Sequence, residues 1–202
     1  DYVYFMDSDD WIEADMYHSL YEKSKYEKYD LICCNLVFDF PDSTTGIPKM
    51  PPSDLITQEF LINEALNPTI SFFSPNSPCD KIFKRDTIEK LKLRFESERL
   101  YLYEDKLFNL IFLASNPSFY FETKVFYHYM IRYGSTMTSY KKDFAQKYFL
   151  MDEKIKKVLI NHNLLNHEQS KRLSKSLFEI TFVSYGTASQ QDESCTVIIH
   201  LK

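Results

Sequence analysis

Two hydrophobic periods alternate along the chain. Residues 2–6 form an apolar, aromatic and β-branched run that predicts a buried strand. The run stops at Asp7-Ser8-Asp9-Asp10. Residues 14–28 place Tyr17, Leu20, Tyr21 and Ser24 at helical spacing. Leu31 to Phe38 reads as a second buried strand, and residues 39–53, with Pro41, Pro48, Pro51 and Pro52, as a surface loop. Residues 57–66 predict a helix, and Ser74 to Pro78 a loop. Asp86 and Glu89 have capping-box spacing, so a short helix is expected to start there. Glu104 to Ala114 predicts a buried helix opened by two acids, and Phe119 to Tyr129 an aromatic strand. Residues 141–163 carry the stripe Phe144, Tyr148, Met151, Ile155 and Leu159; residues 168–185 carry Leu173, Leu177 and Ile180. These last two helices are expected to pack as a hairpin on the main domain, with a polar tail from Ser189 to Ser194. The order of elements defines an α/β chain.

At 202 residues and 44% apolar, the chain can bury one full core. A net charge of −5 argues against nucleic acid as a partner, since that needs a basic footprint. Gly is scarce, only 3, where phosphate-binding α/β turns ordinarily use several. The 15 Tyr and 17 Phe read as core filling, or in part as platforms for sugar rings. Cys33, Cys34, Cys79 and Cys195 lack metal-ligand spacing and read as reduced thiols of a cytoplasmic protein. No apolar run reaches the roughly 18 residues of a membrane span. Lys141, Lys142, Lys147, Lys154, Lys156 and Lys157 make one helix locally basic. That face is either plainly solvated or rests on the anionic inner face of a membrane.

Candidate chemistry lies in the acids. Two carboxylates at a strand end can hold Mn²⁺ or Mg²⁺, leaving other coordination sites to water and phosphate. Asp7 and Asp9 fit that description; the competing reading makes Asp9 or Asp10 a helix N-cap. A calcium loop starting at Asp7 fails, because Ile12 and His18 stand where Gly and Glu are needed. A haloacid dehalogenase-type phosphotransferase is a weaker alternative. Glu104 and Asp105 either complement a helix end or supply a general base. As helix neighbours they point about 100° apart, so only one is expected to face a site. Asp80, Lys81, His128 and Arg132 complete the polar candidates, although a histidine on an aromatic strand is more often a satisfied structural residue.

Four segments then resemble, in order, those of the family 2 glycosyltransferases, especially bacterial capsule and exopolysaccharide enzymes. They are YVYFMDSDDWIEADMY, SPCDKIFKRDTIEKLKLRF, LYLYEDKLFNL and VFYHYMIRYGSTMTS. The resemblance covers about residues 1–140; residues 141–202 form an extension without a family signature. It implies a partial GT-A-type mixed sheet flanked by helices, to which the helical stripes beyond residue 140 add the C-terminal hairpin. It implies inverting transfer of a sugar from a nucleotide sugar to a glycan or lipid-linked acceptor in surface polysaccharide synthesis. By resemblance Asp7 lies near the nucleotide ribose and metal, Asp9 is the metal ligand, and Asp105 is the catalytic base. Asp80 and Lys81 match the acceptor-side segment, with Asp80 where Asn is usual; Glu104 is a further acceptor-side candidate. Some relatives use a His near the metal or diphosphate, which makes His128 a candidate for that place; Arg132 is a further candidate in the same closing segment.

The nucleotide-binding strands of the family precede the segment that starts this chain. The expectation is therefore a fragment that does not transfer sugar alone and whose open sheet edge favours self-association. The alternative is a non-catalytic remnant or accessory domain that keeps the acceptor half.

Overall fold

The computed structural model describes residues 1–26, 28–46, 56–67, 75–132 and 143–175. The expected helix beyond residue 175, with Leu177 and Ile180, and the polar tail lie outside them. So do Lys141, Lys142 and Cys195.

The elements are β1 (Tyr2–Tyr4), β2 (Trp11–Ile12), α1 (Met16–Tyr26), β3 (Leu31–Asp39), β4 (Thr45–Gly46), α2 (Gln58–Ala65), β5 (Lys81–Lys84), α3 (Arg85–Leu91), α4 (Glu104–Ala114), β6 (Phe119–Met130) and α5 (Phe144–Asn161). Residues 167–175 form a further helix, α6. The strands build one mixed sheet in the order β1-β5-β3-β6-β2, with β4 paired to β3. Only β3 and β6 run parallel. β1 stands at one end of the sheet and pairs with β5 alone among the described residues.

β3 is central because it is apolar on both faces: Leu31, Ile32, Cys33, Cys34, Leu36 and Val37 are all buried. One face packs on α1 through Met16 and Leu20. The other packs on α2, α4 and α5, where Leu61, Phe83, Phe108, Phe112, Met151, Ile155 and Leu159 share one cluster with Leu173 of α6. The helices after residue 140 thus belong to the main core. α5 takes its place by the predicted stripe, since Tyr148, Met151, Ile155 and Leu159 are its buried apolar positions.

Several expectations are corrected. The strand predicted over residues 2–6 ends at Tyr4, because Phe5 turns into a cluster with Phe83, Phe95 and Phe108. Tyr17 and Tyr21 lie on the exposed side of α1, while Met16, Leu20 and Ser24 are buried. β5, within the acceptor-like segment, was not expected as a strand. The capping box does not form: α3 begins one residue before Asp86, and its N-cap Lys84 makes no side-chain cap bond. Neither Asp9 nor Asp10 caps a helix, since Trp11–Ile12 is a strand and α1 starts at Met16.

Asp10 has a different task. It is 8% exposed, accepts the Tyr127 hydroxyl and accepts the Met130 backbone N–H at 2.9 Å. Tyr127 reaches it because β6 carries three extra residues between the pairs Cys33–Phe121 and Leu36–Tyr127. The bulged stretch lies beside α1: Lys124 meets Asp15, just before the helix, at 2.7 Å, and Glu122 meets Lys23 within it at 3.5 Å. Asp10→Ala should therefore destabilise the chain by roughly 2–5 kcal/mol, because a buried hydroxyl and a half-buried N–H both lose their acceptor. Tyr127→Phe should cost less, about 1–3 kcal/mol. Urea unfolding measures both, and equal stability of Asp10→Ala and the parent chain would refute the pinning role.

Candidate active site

The end of β1 and the start of β5 meet because the two strands are antiparallel, with Tyr4 opposite Ile82. The acidic turn that follows β1 therefore lies beside Pro78 and Cys79. The N-terminus of α4 closes the same space. Phe5, Met6, Asp7, Pro78, Cys79, Phe95, Glu96, Glu98, Glu104 and Asp105 line a cavity of about 350 Å³. Asp7 and Asp105, nearly a hundred positions apart in sequence, thus share one cavity.

Local backbone geometry aims the α4 acids. Tyr103, the N-cap, takes a left-handed conformation with φ of 56° and ψ of 50° and caps with no side-chain bond. A bulky residue there is strained by about 1–2 kcal/mol. Its ring is held edge-on against Tyr148 of α5. The turn directs Glu104 and Asp105 into the cavity together, which corrects the expectation that only one of them would face it.

The electrostatics follow from like charges in a concave site. Asp105 is raised to about 6 by partial burial first, then by the charges of Glu104 and Asp7. Asp7 is also raised, by partial burial and by Asp10 and Asp9, with the Cys79 thiol acting in the opposite direction. A helix N-terminus would lower a carboxyl pKa; here burial and neighbouring acids prevail. Burial pushes the Cys79 thiol up to about 12, so it is a neutral hydrogen-bonding wall. Behind Asp105, Lys106 is buried and lowered to about 8, with Asp152 of α5 partly restoring it.

The other predicted residues separate into two groups. Arg132 joins the acidic turn, its Nε 3.7 Å from Asp9 Oδ2. Asp80 and Lys81 do not reach the cavity: they are 2% and 1% exposed and form an internal ion pair. Lys81 Nζ also donates to the Ser77 carbonyl at 2.6 Å. Burial alone would lower the Lys81 ammonium; Asp80 and its hydrogen bond outweigh that and hold it above its usual range. The acceptor-side reading of Asp80 and Lys81 is therefore corrected to a structural one. His128 is also elsewhere, stacked on Trp11 at 3.4 Å with Nδ1 2.9 Å from Asp39 and Nε2 3.3 Å from Glu13. It does not line the cavity. Phe95, Glu96 and Glu98 were not singled out from sequence, and Cys79 was read only as a reduced thiol. The only available signal was an aromatic residue set among charges in Arg94-Phe95-Glu96-Ser97-Glu98.

Among the described residues no group of three or more His, Cys, Asp or Glu side chains is placed to hold a metal ion. Asp7 and Asp9 supply two hard oxygen donors, which fits a divalent cation that completes its shell with water and phosphate.

Residues 1–92 match the model of Glycosyl transferase family 2, and this part of the chain belongs to that family. The chain is 31% identical over 151 residues to EpsH of Bacillus subtilis (strain 168), a glycosyltransferase by name; the match covers 70% of this chain and 41% of EpsH. Its fold is similar to that of S. aureus TarS 1–349 in complex with UDP-GlcNAc. The TM-score is 0.63 at 18% identity, over 93% of this chain and 50% of that one. The complex of TarS 1–349 with UDP gives a TM-score of 0.58 at 18% identity, over 95% of this chain and 50% of that one. The chain thus spans half or less of the length of these relatives. The α/β, GT-A-like mixed sheet expected from the motifs is the observed one, and the phosphotransferase alternative has no support.

Two outcomes test the site. Asp80→Ala should cost roughly 3–5 kcal/mol of stability by leaving Lys81 buried without its counter-charge, measured by urea unfolding. Asp105→Asn should raise the melting temperature at pH 7–8. The folded-state carboxyl pKa lies above its unfolded value, so ionisation penalises the folded state. That penalty is absent below about pH 4, where the acid is protonated in both states. It grows as pH rises and is complete above the folded value near 6. The gain from Asn should therefore vanish in acid; a pH-independent gain would contradict the assignment.

Proposed function

We propose that this chain supplies the base, metal and acceptor parts of an inverting glycosyltransferase. The protein containing it moves a sugar from a nucleotide sugar, a uridine diphosphate sugar as in the TarS complex, to a hydroxyl of a glycan or lipid-linked acceptor in bacterial surface polysaccharide synthesis. The observation that carries this reading is the shared cavity of Asp7 and Asp105, with Asp105 raised to about 6. A general base works best with a pKa near the operating pH.

In this mechanism Asp105 accepts the proton of the acceptor hydroxyl. The hydroxyl oxygen attacks the anomeric carbon opposite the leaving group, forming the new glycosidic bond. The bond from that carbon to the diphosphate oxygen breaks, the nucleoside diphosphate departs, and the configuration inverts. Asp7 and Asp9 would hold Mn²⁺ or Mg²⁺, which when bound neutralises charge on the diphosphate. Arg132 beside Asp9 adds positive charge at the same edge. Glu104 keeps the proton on Asp105 more tightly than a lone carboxylate would. Cys79 and Phe5 form the walls that limit water around it.

The site would work in the cytoplasm, with lipid-linked acceptors at the inner membrane face. No described helix is long and apolar enough to cross a membrane. Three of the four described lysines of that basic face are engaged within the chain. Lys147 donates to the Glu98 carbonyl at 3.3 Å, Lys154 pairs with Glu96, and Lys156 meets Asp152 at 2.7 Å. This favours the solvated reading of that helix over lipid binding.

Transfer of labelled sugar from UDP-sugars by the protein containing this chain tests the proposal. Asp105→Asn should lower kcat by ~10²–10⁴-fold with donor affinity retained. In the parent, kcat should fall as pH drops through about 6, where Asp105 becomes protonated and cannot act as base. Activity unchanged from pH 5 to 8, or a larger loss with Glu104→Gln, would overturn the assignment. Asp9→Asn should remove the stimulation of donor binding by Mn²⁺ in calorimetry; equal stimulation would remove the metal role.

A further inference from the structure

Phe95, Glu96 and Glu98 of the segment 95–98 form one wall of the cavity. Phe95 is 38% exposed although it belongs to an aromatic cluster. It stacks on Phe108 with centroids 4.2 Å apart, meets Phe5 edge-on at 4.9 Å, and lines the cavity. An aromatic ring exposed within a cavity suits a ligand with an apolar face. The segment has no regular secondary structure of its own, and α5 holds it from behind. Lys154 pairs with Glu96 and lies 4.8 Å from the Tyr101 ring centroid, and Lys147 donates to the Glu98 carbonyl. The lining carries Asp7, Glu96, Glu98, Glu104 and Asp105 but no lysine or arginine among the described residues. Glu96 is answered by Lys154, whereas Glu98 lines the cavity as an exposed residue.

Resting on the glycosyl-transfer reading, we propose that this cavity selects an uncharged pyranose ring as the acceptor unit, seated on Phe95 and hydrogen-bonded through its hydroxyls to Glu98 and Glu104, with Lys147 and Lys154 of α5 as positioning residues. A pyranose offers axial C–H groups on one face and hydroxyl donors around its rim. The first match an aromatic ring, and the second match carboxylates, which only accept. In the metal-free chain a uronic acid or sugar phosphate would bring a negative charge among acids that no lining lysine or arginine offsets. It is expected to bind at least about tenfold more weakly.

Saturation-transfer NMR on the 202-residue chain at pH 7.5 tests this without a donor. The probes are methyl glucoside and methyl N-acetylglucosaminide against methyl glucuronide and glucose 6-phosphate. Ring C–H saturation is expected for the neutral pair alone, lost in Phe95→Ala and kept in Phe95→Tyr. Lys154→Met should weaken it and Lys154→Arg restore it. Glu98→Lys, a change at an exposed side chain, should admit the glucuronide, and this variant serves if Phe95→Ala does not fold. Equal saturation by neutral and anionic rings, no saturation by either neutral ring, or no gain of glucuronide in Glu98→Lys would overturn the proposal. Sugar binding without any transfer by the protein containing this chain would instead overturn the functional reading alone.

Discussion

The buried carboxylate of Asp10 is the constraint on which the rest of the site depends. Its two partners, the Tyr127 hydroxyl and the Met130 N–H, both come from the last residues of β6. A carboxylate that buried is tolerable only when hydrogen-bonded. Once satisfied, it fastens the turn after β1 to the far side of the sheet. The acidic cluster is thereby divided: Asp10 faces inward, while Asp7 and Asp9 remain exposed. The β6 bulge is the counterpart of this bond, since without the extra residues Tyr127 would fall out of register.

The chemistry is held by strain and charge that the core offsets. Tyr103 in a left-handed conformation, Asp105 raised toward neutrality and Lys106 lowered by burial all sit within four residues. Each is unfavourable locally. They persist because α4 is clamped on one side by Phe83 against Phe108 and Phe112, and on the other by α5. Asp152, Tyr148, Lys147 and Lys154 make α5 the back plate of the cavity, although it lies beyond the residues matched by the family model. Stability and site geometry here are properties of the same helix pair.

Much of this was legible in sequence. Runs of Tyr, Val, Leu and Ile mark β1, β3 and β6, and the spacing of Tyr148, Met151, Ile155 and Leu159 marks α5, because burial imposes a period on local sequence. The end of the acidic run marks a sheet edge, and motif order marks the family. What sequence could not show is which acids share a space. Asp7 and Asp105 meet through an antiparallel strand pair and a helix packed across it, contacts between residues far apart in the chain. Asp10, Asp80 and Lys81 carry the same functional groups as site residues, yet the fold buries them in pairs. A charged residue reads alike whether it faces solvent, substrate or its own counter-ion, and only the packing of distant segments sets which of these dielectric environments it occupies.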